Sequence, residues 1–175
     1  GFCLFSNVAV AARAALAGGA ARVAVVDFDV HHGNGTQAAF ETDPSLFLAS
    51  IHQSPLYPGT GAEAETGVGN IVNAAIAPHA DPGEWRRAFE RRLMPALDAF
   101  APELILISAG FDAHRRDPLA HQSLDEADFA WATRAVVEVA RKHGGGKVVS
   151  SLEGGYDLTG LGRSAVAHVQ ALQED

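Results

Sequence analysis

Five short apolar runs rich in β-branched residues alternate along this chain with stretches in which apolar residues recur at helical spacing. Strands buried on both faces have this nearly continuous apolar character, and their alternation with helices is typical of parallel sheets. We therefore predict an α/β fold, a parallel β-sheet with helices on both faces. The predicted strands are 22–28, 46–51, 70–76, 103–108 and 147–152. The predicted helices are 7–17, 35–41, 83–100, 125–143 and 161–172.

Local signals mark the starts of two of these helices. Asp81-Pro82 supplies a capping residue followed by a proline at the first helical position, and Ser123 with Glu126 forms the pattern of a capping box. Pro95 lies inside the predicted helix 83–100 and cannot donate a backbone hydrogen bond there. We expect it to kink that helix or to split it in two.

Composition excludes several classes of function. The 175 residues carry a net charge of −8, which argues against a nucleic-acid-binding surface, and no stretch is long and apolar enough to span a membrane. Cys3 is the single cysteine, which excludes a disulfide framework and a cysteine-built zinc site and favours a reducing compartment. We predict one unit in the cytoplasm, with neither nucleic acid nor membrane as a partner.

Polar residues stand directly after four of the five predicted strands. They fall in segments 27–35, 50–61, 108–112 and 153–156. Ligands of open α/β sheets bind beyond the carboxyl ends of the strands, which meet at one edge of the sheet. The sequence therefore predicts that four distant segments converge on one site.

The first of these segments favours a metal. Asp27, Asp29 and His31 alternate with apolar residues, so an extended strand end points all three to one side. Two carboxylates and an imidazole facing one way are unfavourable unless a cation lies among them, and Asp112 can add a ligand from another strand. Three protein ligands with an open fourth position are typical of catalytic zinc, although this oxygen and nitrogen set would also accept iron(II) or cobalt. The competing interpretation is that the acids cap the next helix and that His32 packs in the core.

A second motif begins at Asp112. Asp112-Ala113-His114 matches the start of the manganese motif Asp-Ala-His-x-Asp of arginase-like enzymes. Arg116 stands where the final acid should fall, and Asp117 comes one position late. This mismatch argues against a two-manganese site, and an aspartate in such a place is otherwise often only a turn residue.

Glu153-Gly154-Gly155-Tyr156 follows the last predicted strand. Its glycines indicate a turn that carries the tyrosine over the same edge of the sheet, where the phenol could donate a hydrogen bond to a developing oxyanion. Taken alone, the segment fits a tight turn with a half-buried tyrosine better. The catalytic interpretation depends on its conjunction with the other motifs.

Four motifs in order, Asp-x-Asp-x-His-His-Gly-Asn-Gly, Tyr-Pro-Gly-Thr-Gly, Ser-Ala-Gly-Phe-Asp-Ala-His and Glu-Gly-Gly-Tyr, closely resemble the histone deacetylase superfamily. That superfamily includes acetylpolyamine amidohydrolases and bacterial acetoin-utilisation proteins, and the resemblance spans almost the whole chain, from Gly1 to the last helix. Asn34 stands where class I enzymes have an aspartate, which resembles class II. Tyr156 stands where the weakly active animal class IIa enzymes have a histidine. The resemblance thus implies a catalytically competent, class II-like protein with an arginase/deacetylase-like three-layer sandwich.

The resemblance implies zinc-dependent hydrolysis of an N-acetyl or other N-acyl amine, such as acetyl-lysine or an acetylpolyamine, to a carboxylate and a free amine. Asp29, His31 and Asp112 would hold one Zn²⁺ per chain, and Tyr156 would support the oxyanion. The residues that match the narrow substrate channel are Phe2, Tyr57, Leu119 and Gly155. Those placed just behind the ligands are His32 and Asn34.

The resemblance also implies structural potassium. A buried K⁺ site would use Asp27, Ser50 and the main chain of Ile51, together with the main chain of Asp29 and His31. A second site would use main-chain oxygens near four residues, Phe40, Asp43, Leu46 and Asn70.

The family transfers protons with an adjacent pair of histidines that lies before the Gly-Phe-Cys segment, and hence before Gly1. His31-His32 is not that pair, because His31 is assigned to the metal. The resemblance thus implies that residues 1–175 are the C-terminal part of a single deacetylase-like catalytic domain. We predict that the isolated 175 residues hydrolyse acyl-lysine poorly or not at all. The alternatives are a non-catalytic deacetylase-like module that binds acyl-amines or proteins and, less favoured, an arginase-like ureohydrolase; the physiological substrate and the oligomeric state stay open.

Overall fold

The computed structural model describes residues 4–174, in which five strands alternate with six α-helices. This confirms the predicted α/β class. The strands are β1 (Val23–Asp27), β2 (Leu46–Gln53), β3 (Ile71–Ile76), β4 (Leu104–Ala109) and β5 (Val148–Leu152). The helices are α1 (Asn7–Ala17), α2 (Asn34–Phe40), α3 (Pro82–Ala88), α4 (Met94–Phe100), α5 (Glu126–Gly144) and α6 (Leu158–Gln173).

The sheet has the strand order β3-β2-β1-β4-β5, and every neighbouring pair is parallel. From β1 the chain moves outward through β2 to β3 on one side, and then returns to place β4 and β5 on the other side. The direction of winding therefore reverses between β1 and β4. Open α/β sheets bind their ligands at such a switch point, beyond the carboxyl ends of the two central strands.

Successive residues of each central strand face opposite layers of helix. In β1, Val23 and Val25 pack into the cluster beneath α1, whereas Ala24 and Val26 pack into the larger cluster that includes residues of α4 and α5. β2 and β4 follow the same alternation in register with β1. Both faces of the three central strands are therefore covered by helices, as predicted for the sheet.

The helical path from Pro82 to Phe100 is divided, as Pro95 predicted, but the division precedes the proline. A π-helical turn, Phe89–Leu93, separates α3 from α4, and Pro95 is the second residue of α4. Because Pro95 has no N–H for the carbonyl four residues earlier, the wider turn before it accommodates the missing bond.

The two predicted helix starts fared differently. Asp81 caps α3 by accepting a hydrogen bond from the Glu84 amide, as expected. The capping box of α5 is formed by Asp125 and Asp128 rather than by Ser123 and Glu126. Both pairs have the required spacing, so the pattern was right and its register was wrong by two residues.

β5 departs from the expectation that each strand is buried on both faces. Val149 is 56% exposed and Leu152 is 60% exposed. β5 is an edge strand, and the buried cluster beneath α1 contains none of its residues. Val149 lies in register with Leu106 and so faces this uncovered side. Within residues 4–174 no helix is long and apolar enough to cross a membrane.

Candidate metal centre

Three strand residues mark the point at which the sheet changes from apolar to polar. Asp27 of β1 lies in register with Ser50 of β2 and with Ser108 of β4, and all three are buried. The two preceding layers on this face are apolar, Val23 and then Val25 with their aliphatic partners. The regular alternation of the strands thus places the Asp27 carboxylate beside the hydroxyls of Ser50 and Ser108, at the carboxyl ends of the strands that flank the switch point.

The three predicted metal ligands come together just beyond this layer. His31 Nδ1 lies 3.1 Å from Asp29 Oδ1 and 3.0 Å from Asp112 Oδ2. One possible ligand atom from each residue falls within 4.8 Å of the other two, and all three side chains are buried. Within the described part of the chain, this is the group of three or more His, Cys, Asp or Glu side chains arranged to hold an ion.

Backbone hydrogen bonds fix the two carboxylates. The Gly154 amide donates to Asp29 Oδ2 at 2.8 Å, and the Val30 amide donates to Asp112 Oδ1 at 2.8 Å. Each carboxylate therefore has one oxygen held by the main chain and the other directed at His31. The segments after β1, β4 and β5 are joined through these bonds, as the convergence of motifs predicted.

Two glycines make this close approach possible. A Cβ on Gly154 would lie 2.0 Å from Asp112 Oδ2 and 2.7 Å from Asp29 Oδ2. A Cβ on Gly110 would lie 2.4 Å from Asp29 Oδ2. Both contacts are far inside van der Waals distance, so these positions accept no side chain while the carboxylates stay where they are.

The charges of the cluster strongly favour a cation. Burial opposes protonation of His31, but its hydrogen bonds to Asp112 and Asp29 outweigh this and raise its pKa to about 9. Burial raises the pKa of Asp112 to about 6, and the charge of Asp29 contributes to the rise. Burial opposes ionisation of Asp29, but hydrogen bonds from His31 and Gly154 outweigh it and lower its pKa, so its charge repels that of Asp112 in a poorly solvated place. A divalent cation among the three donor atoms would relieve this repulsion, so the donor set fits zinc in number and kind.

Tyr156 lies next to the triad. Its ring centroid is 6.4 Å from that of His31, the rings are nearly perpendicular at 83°, and the side chain is 41% exposed. Gly155 before it has φ of 146°, a backbone conformation that favours glycine. The Gly-Gly turn therefore places the tyrosine over the edge of the sheet, where the sequence predicted it.

Asp117 holds this tyrosine, and sequence reasoning missed it. Its Oδ2 accepts a hydrogen bond from the Tyr156 amide at 2.8 Å, and its Oδ1 accepts one from the Leu119 amide at 2.9 Å. One carboxylate thus joins the turn of Tyr156 to the loop of Leu119, a predicted channel residue. The sequence signal for this role is Asp117 itself, although its place beside the arginase-like motif indicates only a misplaced metal ligand. Arg116, at the position of the arginase-type acid, instead pairs with Asp157 at 2.9 Å.

The hydrogen bonds of His32 are made to residues outside the triad. Its Nδ1 lies 2.8 Å from Thr60 Oγ1 and its Nε2 lies 2.9 Å from Gln37 Oε1. Thr60 belongs to the Tyr-Pro-Gly-Thr-Gly loop, so His32 anchors the segment that carries Tyr57. The ring of His32 is buried, as the core interpretation expects, and it also holds the loop of Thr60 by a hydrogen bond.

The predicted potassium residues lie on one side of the triad. Burial and the neighbouring charge of Asp29 raise the pKa of Asp27 well above its usual value. Ser50 Oγ lies 3.0 Å from His52 Nδ1, and His52 Nε2 lies 3.0 Å from the Gly61 carbonyl, to which it must donate. His52 Nδ1 is then an acceptor, so Ser50 donates its proton there and keeps its lone pairs for another group. A buried carboxylate and a hydroxyl lone pair fit a monovalent cation, and Ile51 is fully buried beside them.

The remaining predicted residues lie around the rim. Tyr57 and Leu119 are 57% and 47% exposed on their loops. Asn34 is exposed at the start of α2 and lines a cavity of about 330 Å³ with Asp27 and Asp29. Phe2, the other predicted channel residue, lies outside the described residues.

Comparison with known proteins adds to this geometry. Residues 1–172 match the family described as "Histone deacetylase domain". This chain belongs to the histone deacetylase family. This chain is 41% identical over 177 residues to the chloroplastic histone deacetylase 14 of Arabidopsis thaliana. The alignment covers 98% of this chain and 42% of that protein. It is 42% identical over 162 residues to a histone deacetylase-like amidohydrolase of Pseudomonas aeruginosa, covering 89% of this chain and 43% of that protein.

The fold of this deacetylase-family chain also matches a solved structure. Its TM-score is 0.92 to the crystal structure of the HDA15 HD domain, with 40% sequence identity, over 100% of this chain and 52% of that one. The chain therefore spans about half the length, or less, of the relatives it matches.

Proposed function

We propose that this chain carries the metal-binding half of a zinc-dependent hydrolase of N-acyl amines. The observation that carries the proposal is the convergence of Asp29, His31 and Asp112 on one point at the switch of the sheet, next to Tyr156. Relatives named deacetylase and amidohydrolase support the reaction class. The number and kind of donor atoms support a catalytic metal, and the choice of zinc over iron(II) or cobalt rests on the family resemblance.

The donor set supports zinc in a catalytic role. Two carboxylate oxygens and one imidazole nitrogen make three protein ligands and leave positions for water and substrate, as catalytic zinc sites do. Zinc held there would polarise the acyl carbonyl and lower the pKa of the attacking water. The chain itself contributes rigidity, because Gly154 and Val30 hold the outer carboxylate oxygens with main-chain hydrogen bonds.

Tyr156 would stabilise charge that develops on the substrate. A phenol donates one hydrogen bond, and such a donor is most effective when it is directed at the oxygen that becomes negative in the transition state. The position of the ring beside His31 and its partial exposure support this role. Asp117 would keep the Tyr156 backbone in place while the substrate enters and leaves.

The acid and base that move protons are expected elsewhere in the protein. Apart from His31, each histidine of the chain has a specific neighbour away from the triad. His32 contacts Thr60, His52 contacts Ser50, His79 packs on His121, His114 lies near Glu126, His143 contacts Asp98, and His168 contacts Thr133. A cavity of about 330 Å³ is lined by both Asn34 and Asp29, beside the triad. These observations support the prediction that a histidine pair from outside residues 1–175 completes the site.

The substrate is expected to be an acyl-lysine, an acetylpolyamine or a similar amine with an extended aliphatic chain. Tyr57 and Leu119 are exposed on two loops, one hydrogen-bonded to His32 through Thr60 and the other joined to the Tyr156 turn through Asp117, and would line its path with apolar surface. Potassium at Asp27 and Ser50 would be structural, since both residues are buried beneath the triad. Location in the cytoplasm stays a prediction, and the names of the Arabidopsis and rice relatives place those two proteins in the chloroplast.

The test is hydrolysis of an acetyl-lysine peptide by the full-length gene product. Acetate release measures the rate, and elemental analysis measures the bound metal. We expect about one zinc per chain, and the Asp112→Asn variant should lose zinc and lower kcat/KM by more than about 100-fold. Asp98→Asn is the matched control, because Asp98 pairs with Lys142 and His143 near the C-terminus of α5. A protein that retains no zinc and stays inactive with added zinc or cobalt would contradict the proposal. Binding of the peptide without turnover would favour the non-catalytic module.

A further inference from the structure

Asn70 lies immediately before β3, and its side-chain nitrogen is enclosed by main-chain carbonyls. Nδ2 is 2.8 Å from the Phe40 oxygen, 3.0 Å from the Asp43 oxygen and 2.7 Å from the Leu46 oxygen. These carbonyls belong to the end of α2, the following loop and the start of β2. The Asn70 side chain is buried, so this cage is shielded from water.

A ring of main-chain carbonyls around one point is the environment in which proteins replace the hydration shell of K⁺. The family resemblance implies a second potassium ion at these same residues. An amide nitrogen and an ion cannot both occupy the centre of the cage. We infer that in this protein the side-chain amide of Asn70 takes the place of the second monovalent cation.

The orientation of the amide is fixed by its other end. Asn70 Oδ1 accepts a hydrogen bond from the Val68 amide at 3.2 Å. A rotated amide would direct Oδ1 at three carbonyl oxygens and Nδ2 at the Val68 N–H, so both ends would be repulsive. The turn before Asn70 is shaped around Oδ1, because a Cβ on Gly67 would lie 2.7 Å from that oxygen.

A cation would also bring positive charge to this loop, and here Arg13 of α1 supplies it. Its guanidinium pairs with the Asp43 carboxylate and donates to the Ala39 carbonyl at 2.6 Å. Ala39 lies in the last turn of α2, where the helix dipole leaves partial negative charge. The Asn70 amide thus donates to the carbonyls, and the Arg13 guanidinium balances the charge of the segment. A second ion has no remaining function there.

Crystals of the full-length gene product soaked in Rb⁺ or Tl⁺ test the inference directly. We expect no anomalous peak among the Phe40, Asp43 and Leu46 carbonyls, whatever is found at Asp27. A peak at that point, with Asn70 turned away from it, would overturn the inference. The result does not depend on hydrolytic activity, because only the position of an ion is measured.

Substitution gives a second readout, the change in Tm between KCl and choline chloride at equal ionic strength. Asn70→Ala should lower Tm by roughly 5–10 °C in choline chloride, because it removes three hydrogen bonds from a buried amide, although the Phe40 and Asp43 carbonyls keep main-chain donors. K⁺ should restore part of this loss, so the K⁺ dependence of Tm should exceed that of the wild type. A smaller K⁺ dependence than in the wild type would show that the natural protein already binds an ion there, and would overturn the inference.

Asn70→Asp sharpens the comparison, since a carboxylate in the cage requires a counter-ion. We expect a new Tl⁺ peak and a larger K⁺ dependence of Tm in this variant. Asn73→Asp is the matched control, because Asn73 is also buried but its Nδ2 bonds a side-chain oxygen, Gln37 Oε1, at 2.9 Å and lies 3.3 and 3.5 Å from the Glu65 and Ala62 carbonyls. Equal K⁺ dependence in both Asp variants would count against a cage specific to Asn70. If Asn70→Asp does not fold, the wild-type crystals and Asn70→Ala still decide the question.

Discussion

Asp117 accepts a hydrogen bond from the backbone amide of Tyr156 at 2.8 Å, across 39 residues of sequence. The second oxygen of the same carboxylate accepts from Leu119 at 2.9 Å. The side chain that would support the oxyanion and a side chain expected to line the substrate path are therefore positioned by one residue. Asp117 therefore couples the position of the Tyr156 turn to that of the Leu119 loop.

Asp117→Ala should accordingly impair catalysis without emptying the metal site. The Tyr156 turn loses a charge-assisted hydrogen bond, and a displacement of about 1 Å can cost on the order of 100-fold in rate. We expect kcat for an acetyl-lysine peptide to fall roughly 10- to 100-fold, with zinc content unchanged by elemental analysis. Asp81→Ala removes a comparable carboxylate–amide bond at the start of α3 and should leave kcat near the wild-type value. Loss of zinc from the Asp117 variant would contradict a role confined to positioning.

Tyr156→Phe removes the phenolic donor and keeps the ring beside His31. Loss of one oxyanion donor typically costs about 10²- to 10³-fold in kcat, and we expect a loss in that range. KM and zinc affinity should change little, because the proposed hydrogen bond forms mainly in the transition state. Steady-state kinetics with a chelator titration measure both quantities. A variant with unchanged kcat would remove Tyr156 from the reaction.

Gly154→Ala should disrupt the metal centre itself. Its new methyl would lie 2.0 Å from Asp112 Oδ2, so either the carboxylate or the strand end must move. We expect zinc affinity to fall by more than about 10-fold, measured by competition with a chelator. Gly162→Ala is the control within α6, where a Cβ meets nothing within 4 Å and helix propensity favours alanine. Comparable loss of zinc from both variants would indicate general destabilisation.

The free energy of unfolding should decrease as the pH is lowered, over a pH range set partly by His168. Burial lowers its pKa from 6.5 to about 4. Its neutral ring accepts a hydrogen bond from the Ser150 hydroxyl and donates one to Thr133, whose own hydroxyl donates to the Phe129 carbonyl. Because the unfolded state binds the proton first, stability present above pH 6.5 is lost as the pH falls towards 4. One such proton gives a slope approaching about 1.4 kcal/mol per pH unit.

Urea unfolding of the full-length protein between pH 4.5 and 7.5 measures this slope. His168→Gln cannot titrate, so the dependence of unfolding free energy on pH should become shallower in this variant. His121→Gln, at an exposed histidine, should keep the wild-type slope. Identical slopes in the wild type and His168→Gln would show that this residue does not account for acid sensitivity.

Strand periodicity predicts the polar layer at Asp27, and the meeting of parallel strand ends at one edge predicts that Asp112 lies near it. The extended strand expected to continue to His31 ends at Asp27, so Asp29 and His31 reach the triad from the segment that follows β1. Whether they hold zinc stays a prediction. What periodicity cannot supply is a contact between loops, and the Asp117–Tyr156 bond is of that kind.

Other differences have equally local causes. The exposure of β5 depends on which helices cover which strands, a property of topology that its apolar sequence does not report. The register of the α5 capping box depended on a choice between two compatible pairs, of which Asp125 and Asp128 form. The amide of Asn70 could not be told from a cation ligand by residue type, because both uses place it beside the same carbonyls.

The polar layer formed by Asp27, Ser50 and Ser108 has a consequence for folding fidelity. A slip of one residue in the pairing of β1 would exchange its two faces and direct Asp27 into the apolar cluster that contains Phe28. Burying an unpaired carboxylate there is strongly unfavourable, so mispaired sheets are penalised by the residues that the site uses. The polar layer therefore stabilises the native strand register relative to misaligned ones, and a misaligned chain would lose both stability and the arrangement of the proposed ligands.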